Sequence, residues 1–516
     1  MIIPDFVEKN ARLYPNKTAV AVPGDRSCTF SGLKDRVYRL ANGLLQMQLA
    51  KGDRVAVLAE NCFEYPEMYF GIAKAGGVVT PLNFRFAPPE VLALTVESGS
   101  RYFVVESKYA ELVNGLRPNM ASVEKFICVG GKAEGMIDYE SLLADSTATN
   151  PAIDVGLDDL FCLIHTGGTT GIPKLTMLTH RNLLNCATLF VVESGFSYGD
   201  VFMIISPLFH TGASWPLFWT FILGNTFVIL KRFDIEELAR AVEENRVTAS
   251  LWMSQLVPLI TSHPAVFQKK YDMTSIRLIL VGAAVLPEPH LRRLLEMFPG
   301  IRVAGAGGQT ECGLFTGIRY DELLDTAPDK LASAGRPGYN MQVKIVDQDD
   351  HEVPAGMGGE LCVRGEGVMR GYWNKPEESA WSLRGGWQHT GDICKLDGEG
   401  YLYYLDRLKD MIKSGGENVY SKEVEDVLYT HPAVAEAAVV GVPDGKWGEA
   451  VKALIVVKQG QKPDPDELIE HCRREIAGFK CPKSIEFRQS LPKTPLGKID
   501  KKALRGPYWE GLGRKI

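Results

Sequence analysis

Short apolar runs of strand length alternate with segments of helical period from the N-terminus to beyond residue 300, and this restricts the chain to one broad architecture. Arg54-Val55-Ala56-Val57-Leu58 reads as a strand, and residues 64–75 as a helix that stops at Gly76-Gly77. Residues 33–49, entered through Phe30-Ser31-Gly32, repeat Val37, Leu40, Leu44 and Leu45 at helical spacing. Val78-Val79 and Tyr102-Phe103-Val104-Val105 are further strands. Strands that alternate with helices build largely parallel sheets covered by helices, so the class is α/β.

The strands that follow end in polar or glycine-rich loops. An apolar run, 160–164, gives way to His165-Thr166-Gly167-Gly168-Thr169-Thr170-Gly171-Ile172-Pro173-Lys174. Residues 201–206 lead to Pro207-Leu208-Phe209-His210, and 227–230 precede the helix Ile235–Asn245. Residues 278–281 end in Gly282, Ala283 and Ala284, and Val303 leads through Gly305 and Ala306 to Gly307-Gly308-Gln309-Thr310-Glu311. Ligands of open parallel sheets sit beyond the carboxyl ends of strands, so these loops are expected to share one cleft.

The loop at 166–174 is suited to an anion. Glycines let backbone N–H groups approach closely, and Lys174 adds a positive point charge. It is no Walker loop: after Gly167 and four further residues the chain has Ile172 where glycine is required, and Lys174 follows Pro173. The residues alone indicate a phosphate loop of another kind.

The whole chain excludes several classes. Its 516 residues are enough for about three domains, with 45% hydrophobic and 23% charged residues, as in ordinary globular proteins. A net charge of -6 argues against nucleic-acid binding through bulk charge. The ten cysteines form no Cys-x-x-Cys pair and the nine histidines no His-x-x-x-His pair, which argues against zinc and disulfide scaffolds and for a reducing compartment. Met1-Ile2-Ile3-Pro4-Asp5 lacks the basic and apolar regions of a secretory leader. The most apolar window, 215–230, is shorter than the ~20 residues of a spanning helix and contains Gly224-Asn225. A cytoplasmic protein without a membrane span is expected, with a homodimer as a candidate assembly.

The texture changes near residue 335. Residues 343–346, 359–363 and 401–405 are short strands between Gly- and Pro-rich turns, consistent with a small β-rich subdomain over 335–405. Beyond Asp406 come the helix Ser421–Thr430, strands at Val439-Val440 and 453–457, and a helix over 465–476, enough for a separate small core. The expected organisation is a large multi-subdomain N-terminal domain at 1–405, with parallel-rich sheets, helices and a small β-barrel-like part, and a small mobile α+β domain at 406–516.

Seven segments together resemble the adenylate-forming superfamily, in its acyl-CoA synthetase branch. In the family's order they are the loop 165–174, Phe209-His210, Gly308-Gln309-Thr310-Glu311, His389-Thr390-Gly391-Asp392, residues 406–409, residues 413–425 and residues 492–498. The resemblance implies an AMP-forming acid:CoA ligase that uses ATP, Mg²⁺ and coenzyme A. A carboxylate is a poor electrophile; attack on the α-phosphate of ATP turns it into an acyl-AMP, whose AMP leaves readily. Such an enzyme must neutralise charge while holding the reactants in line.

Residue by residue, the resemblance assigns Thr166, Gly167, Gly168, Thr169, Thr170, Gly171 and Lys174 to the β- and γ-phosphates. Gly282, Ala283, Ala284, Gly307, Gly308 and Gln309 fall in the nucleotide pocket, and Thr310 and Glu311 at the α-phosphate and Mg²⁺. Asp392 matches the acid that accepts from the ribose hydroxyls, and Arg407 a nucleotide contact beside it. Lys498 matches the lysine that bridges carboxylate and α-phosphate; residues 480–505 carry eight Lys or Arg against Glu486 and Asp500, so a plain basic face competes with this reading. Lys409 matches the hinge about which the C-terminal domain turns between half-reactions. Three departures stand out: Gly167 where serine is common, Leu175 where glycine is common, and Gly307 where many relatives carry an aromatic against adenine.

For the acceptor, Lys413, Ser414, Gly415 and Gly416 resemble the loop that lines the pantetheine tunnel, with Trp447, Phe479 and Lys480 at positions that contact CoA in some relatives. Another acceptor, a carrier protein's phosphopantetheine or oxygen, is the alternative, and a binding protein with dead chemistry is a third. His210 matches the residue that gates the carboxylate pocket. Amino-acid-activating relatives carry an aspartate after the Phe of this motif, whereas His210-Thr211-Gly212-Ala213 follows here. Trp215, Phe218, Trp219, Trp252 and Met253 make the neighbourhood apolar, which favours a fatty or aryl acid if they line the pocket and says nothing if they are core.

Overall fold

The computed structural model describes residues 1–166, 173–282, 284–415, 417–494 and 499–510. The chain forms two compact units, one of Met1–Val343, Val363–Gln388 and Gly400–Leu402, the other of Lys344–Cys362, His389–Glu399 and Tyr403–Ile516.

Two large sheets build the first unit. One runs Ile137–Asp138, Lys125–Val129, Tyr102–Glu106, Arg54–Leu58, Val78–Pro81, Leu160–His165, Leu175–Thr179, parallel until its final antiparallel pair. In the other, Ala249–Met253 has Leu278–Gly282 and then Arg302–Gly305 on one side, and Val201–Ile204, Thr226–Ile229 and Thr18–Ala21 on the other, all parallel. The helix Tyr65–Lys74 has an apolar residue on almost every face, and all but one of its residues are buried. A helix apolar all round must be enclosed. Its Tyr69 stacks on Phe161 at 6.1 Å and meets Phe218 edge-on at 5.8 Å, joining it to the strand Leu160–His165 and the helix Thr211–Ile222.

The four loop-bearing strands therefore do not belong to one sheet. Val79 pairs with Cys162, which puts the phosphate-loop strand in the seven-stranded sheet, whereas the strands before His210, Gly282 and Gly307 lie in the other. The loops expected to share one cleft therefore come from two sheets.

The second unit has a four-stranded sheet in the order Gln342–Val346, Gly359–Arg364, Gln388–Leu396, Leu402–Arg407. A further sheet pairs the long strands Val434–Asp444 and Gly448–Val457, with Ile412–Ser414 and Ser484–Phe487 also paired to the latter. The helices Ser421–Thr430 and Pro465–Glu475 cover it through Val424, Leu428, Leu468 and Cys472. The compact units divide the four-stranded sheet: residues 342–343, 363–364, 388 and 402 of its strands fall in the first unit and the rest in the second with the C-terminal segment.

Two buried histidines give stability a pH dependence. His165 lies 4.9 Å from the Phe86 ring and 5.9 Å from Phe209; burial first, then repulsion from His210, pushes its pKa down to about 3. His180 meets Phe161 edge-on at 5.1 Å, and burial pushes it down to about 4 against the opposing pull of Asp159 and Asp5. The unfolded chain takes up these protons near pH ~6.5 and the folded chain does not, so stability is full above that pH. It falls on acidification toward the folded values, by about 1.4 kcal/mol per pH unit for each histidine. Thermal melts between about pH 7 and about pH 5 should show this slope, and His180→Leu should remove one proton's share of it. An unchanged slope in that variant would remove His180 from the account.

Candidate active site

The phosphate loop joins two antiparallel strands. His165 pairs with Leu175, and the Thr166 N–H donates to the Lys174 carbonyl at 2.9 Å, closing the loop at its base. Leu175, the departure from the family's glycine, is 1% exposed and packs in the core of this sheet with Leu163 and Phe103. Gly167, Gly168, Thr169, Thr170, Gly171, Ala283, Gly416 and Lys498 lie outside the described residues.

Lys174 is held by an aromatic residue that the sequence reading overlooked. Its ammonium lies 4.7 Å from the centre of the Tyr372 ring. Tyr372 reaches the loop because its segment pairs with the strand Leu175–Thr179: the Trp373 N–H donates to the Leu175 carbonyl at 2.8 Å and the Arg370 N–H to the Met177 carbonyl at 3.0 Å. The Tyr372 hydroxyl donates to Glu311 Oε1 at 3.1 Å, and burial together with the Glu311 charge holds its pKa above the ordinary tyrosine value.

Thr310 and Glu311 form the tip of a tight hairpin. Gly308 pairs with Leu314 and Gln309 with Gly313, and the Cys312 N–H donates to the Gln309 carbonyl at 3.3 Å. Gly313 makes the bend at φ +69°, where a side chain would be strained. The Met369 N–H donates to the Glu311 carbonyl at 2.8 Å, so side chain and backbone of Glu311 are both held by the segment that carries Tyr372. Gly307 has little room: a Cβ there would lie 2.5 Å from Thr316 Oγ1 and 3.3 Å from Phe315. The absent aromatic thus corresponds to space already taken by its neighbours. Gly282 closes its strand opposite Met253, and Ala284 beyond it is exposed.

His210 caps the helix Thr211–Ile222. Its Nδ1 accepts from the Gly212 N–H at 3.1 Å, which leaves Nε2 to carry the proton of the neutral ring. The hydroxyl of Thr211 is 3.3 Å from that of Thr310. Lys174, Tyr372, Glu311, Thr310, Thr211 and His210 therefore form one continuous chain of contacts between strand ends of the two sheets. The apolar residues nearby divide differently. Trp215, Phe218, Trp219 and Trp252 are at most 4% exposed; Trp219 stacks on Phe190 at 3.6 Å and Trp252 packs on Phe298. They are core. Met253 reaches the site: a Cβ on Gly212 would lie 3.9 Å from its Cε and 3.4 Å from His210 Nδ1.

In the second unit, Asp392 is 4% exposed and its Oδ1 accepts from Arg407 Nε at 3.0 Å. Glu360 fixes the approach, accepting from the Gly391 N–H at 3.0 Å and bonding His389 Nδ1 at 3.0 Å. Lys413 is exposed, Ser414 is buried and Gly415 is exposed. Trp447 belongs with them, since the Gly415 N–H donates to the Trp447 carbonyl at 2.8 Å and a Cβ on Gly415 would lie 2.6 Å from the indole. Phe479 is half-exposed, and Lys480 is committed to Glu423 at 2.7 Å. Among the described residues no helix is long and apolar enough to cross a membrane.

The AMP-binding enzyme family matches residues 7–373, and the AMP-binding enzyme C-terminal domain matches residues 423–498. A feruloyl-CoA synthase from Amycolatopsis sp is 38% identical over 499 residues, 96% of this chain and 97% of that protein. The long-chain-fatty-acid–CoA ligase FadD13 of Mycobacterium tuberculosis is 32% identical over 508 residues, 98% of each chain. Among solved structures, ATP-bound MatB from Rhodopseudomonas palustris superimposes with a TM-score of 0.87 at 27% identity, over the full length of both chains.

Proposed function

This chain belongs to the AMP-binding enzyme family, and from that premise we propose that it is an AMP-forming acid:CoA ligase with two half-reactions. In the first, a carboxylate oxygen attacks the α-phosphorus of ATP, the bond to pyrophosphate breaks, and acyl-AMP forms. In the second, the thiol sulfur of coenzyme A attacks the acyl carbon, the bond to AMP breaks, and the thiol proton passes to solvent. The observation that carries this reading is the contact chain from Lys174 through Tyr372 and Glu311 to Thr310, Thr211 and His210. It combines a cation, a carboxylate, three hydroxyls and an imidazole. The relatives named above as CoA ligases support the acceptor.

The roles follow from charge and reach. Lys174 and Thr166, with Gly167, Gly168, Thr169, Thr170 and Gly171, hold the β- and γ-phosphates, while Thr310 meets the α-phosphate. The oxygen donors Glu311 and Thr310 fit a hard cation, and Mg²⁺ bound there would neutralise charge on the phosphates. The Nε2–H of His210 orients the carboxylate at the mouth of the acid pocket beside Met253. Gly282, Ala283, Ala284, Gly307, Gly308 and Gln309 border the nucleotide, whose ribose hydroxyls donate to Asp392 beside Arg407. Lys498 bridges carboxylate and α-phosphate during adenylation. The functional boundary falls at 405/406, with Lys409 as hinge. The acid is fatty or aryl, since Thr211, Gly212 and Ala213 offer no partner for an α-ammonium. The enzyme works in the cytoplasm, with a homodimer as the candidate assembly.

Incubation of the protein with ATP, Mg²⁺, CoA and ferulate, indoleacetate or dodecanoate tests the reaction. AMP released together with an acyl-CoA supports it. Acyl-AMP that is discharged only by a phosphopantetheinylated carrier protein would move the chain to the other acceptor, and no pyrophosphate release with any acid would end the reading.

Lys413, Ser414, Gly415, Gly416 and Trp447 line the pantetheine path, with Phe479 and Lys480 toward the CoA nucleotide. Gly415→Ala puts a methyl group against Trp447 at a φ of +62°. Thioester formation from supplied acyl-AMP should fall about ten-fold, because small displacements of positioning groups cost that much or more, with adenylation unchanged. Equal loss in both steps would argue against a CoA role for this loop.

A further inference from the structure

The segment around Lys409 is tied on both sides, each time through one peptide plane. Upstream, the Leu408 N–H donates to the Gly391 carbonyl at 2.8 Å, which fixes the plane between Arg407 and Leu408 to the strand Gln388–Leu396. Downstream, Arg505 Nη1 donates to the Lys409 carbonyl at 2.7 Å and lies 3.8 Å from the Asp410 carboxylate. That second bond fixes the plane between Lys409 and Asp410 to the helix Lys501–Trp509.

This helix is itself firmly seated. Leu504 is buried among Ala438, Val440, Leu454 and Leu491. Lys501 donates to Ser421 Oγ at 2.6 Å and pairs with Glu425 at 2.7 Å, and the Trp509 indole donates to the Gly441 carbonyl at 2.9 Å. The chain that enters the helix is closed as well: Lys493 bridges Ile499, and the Asp500 N–H donates to the Pro492 carbonyl at 2.8 Å. Lys498 is the residue just before Ile499. The helix thus connects the chain at Ile499 and Asp500 to the hinge carbonyl through one guanidinium.

We propose that Arg505 is a positioning residue for both half-reactions, acting through the Lys409 carbonyl. With the two peptide planes held, the dihedrals left free between them are φ and ψ of Leu408 and of Lys409. A turn about the hinge is then confined to four torsions. Its cost includes the Arg407–Asp410 turn bond, in which the Asp410 N–H donates to the Arg407 carbonyl at 2.9 Å. Without Arg505 the pivot spreads past Asp410, and the helix Lys501–Trp509, with the chain that enters it at Ile499, is held less sharply. The inference rests on the reading of Lys409 as the hinge. It separates Arg505 from Lys498, which serves adenylation alone.

The test compares Arg505→Ala and Arg505→Lys with the unaltered protein, using ferulate and dodecanoate and their adenylates. In Arg505→Ala, kcat should fall about ten-fold for pyrophosphate release and for thioester formation from supplied adenylate, with KM for ATP and CoA unchanged. Arg505→Lys keeps a charged donor near Lys409 and Asp410 and should recover most of both rates. Limited trypsin digestion gives a readout independent of activity: cutting after Lys409 should become several-fold faster in Arg505→Ala. Wild-type rates in Arg505→Ala would overturn the proposal. So would a loss that tracks a lowered Tm and is not relieved by lysine. If the unaltered protein turns over neither acid, the assigned reaction fails, and the digestion alone judges the clamp, with unchanged cutting after Lys409 overturning it.

Discussion

Lys498→Ala should reduce acyl-AMP formation by at least about 10²–10³-fold while leaving thioester formation from supplied acyl-AMP near its original rate. Removal of one preorganised charge stabiliser costs on that order. In the role proposed for Lys498 the lost group is a full ammonium between two anions that repel each other. The second half-reaction has no carboxylate left to bring up to a phosphate, and the loop proposed for it begins at Lys413. Pyrophosphate release without CoA reads the first step, and acyl-CoA formed from synthetic acyl-AMP reads the second. Equal losses in the two assays would sink the division of labour, and so would an intact first step.

Glu311→Gln should slow adenylation by about 10²–10³-fold and raise the Mg²⁺ concentration needed for half-maximal rate. Glutamine keeps the size of the side chain and an oxygen that can accept from the Tyr372 hydroxyl, so the hairpin tip retains its hold. What disappears is the negative charge a hard cation requires. A magnesium titration separates this variant from Lys498→Ala, which should leave the magnesium midpoint in place. A Glu311→Gln enzyme with the original midpoint would remove Glu311 from the metal.

Elements with a strong period and a recognisable cap were legible in the sequence. The helix Ile235–Asn245 begins after Asp234, whose side chain accepts from the N–H groups of Glu236 and Glu237 at 2.9 Å, and its four buried residues fall at helical spacing. The strand Arg54–Leu58 was equally plain, being a continuous apolar run buried on both faces of a parallel sheet. The helix Lys501–Trp509 escaped notice because Gly506 and Pro507 interrupt its pattern, and packing of Leu504 overrides that local preference.

The sequence singled out Lys174 and Glu311 by motif, and the structure brings both against Tyr372. Tyr372 was missed because its role depends on backbone pairing with a strand almost two hundred positions earlier, which no local pattern records. The tryptophans after His210 stayed open between pocket and core for a related reason. An apolar run beside a site looks the same whether it faces ligand or core, and stacking of Trp219 on Phe190 is visible only in three dimensions.

The phosphate loop is followed by a strand, Leu175–Thr179, and not by a helix. Loops of the Walker type run into a helix whose aligned peptide dipoles hold an anion continuously, whereas the peptide dipoles of a strand largely cancel. On the proposed assignment, the grip on the triphosphate end rests on side chains, above all on the Lys174 ammonium that lies over the Tyr372 ring. Such a grip can be released. In the proposed reaction a holder without a permanent field lets pyrophosphate escape after the first step, and added pyrophosphate is then expected to drive the adenylate back to ATP.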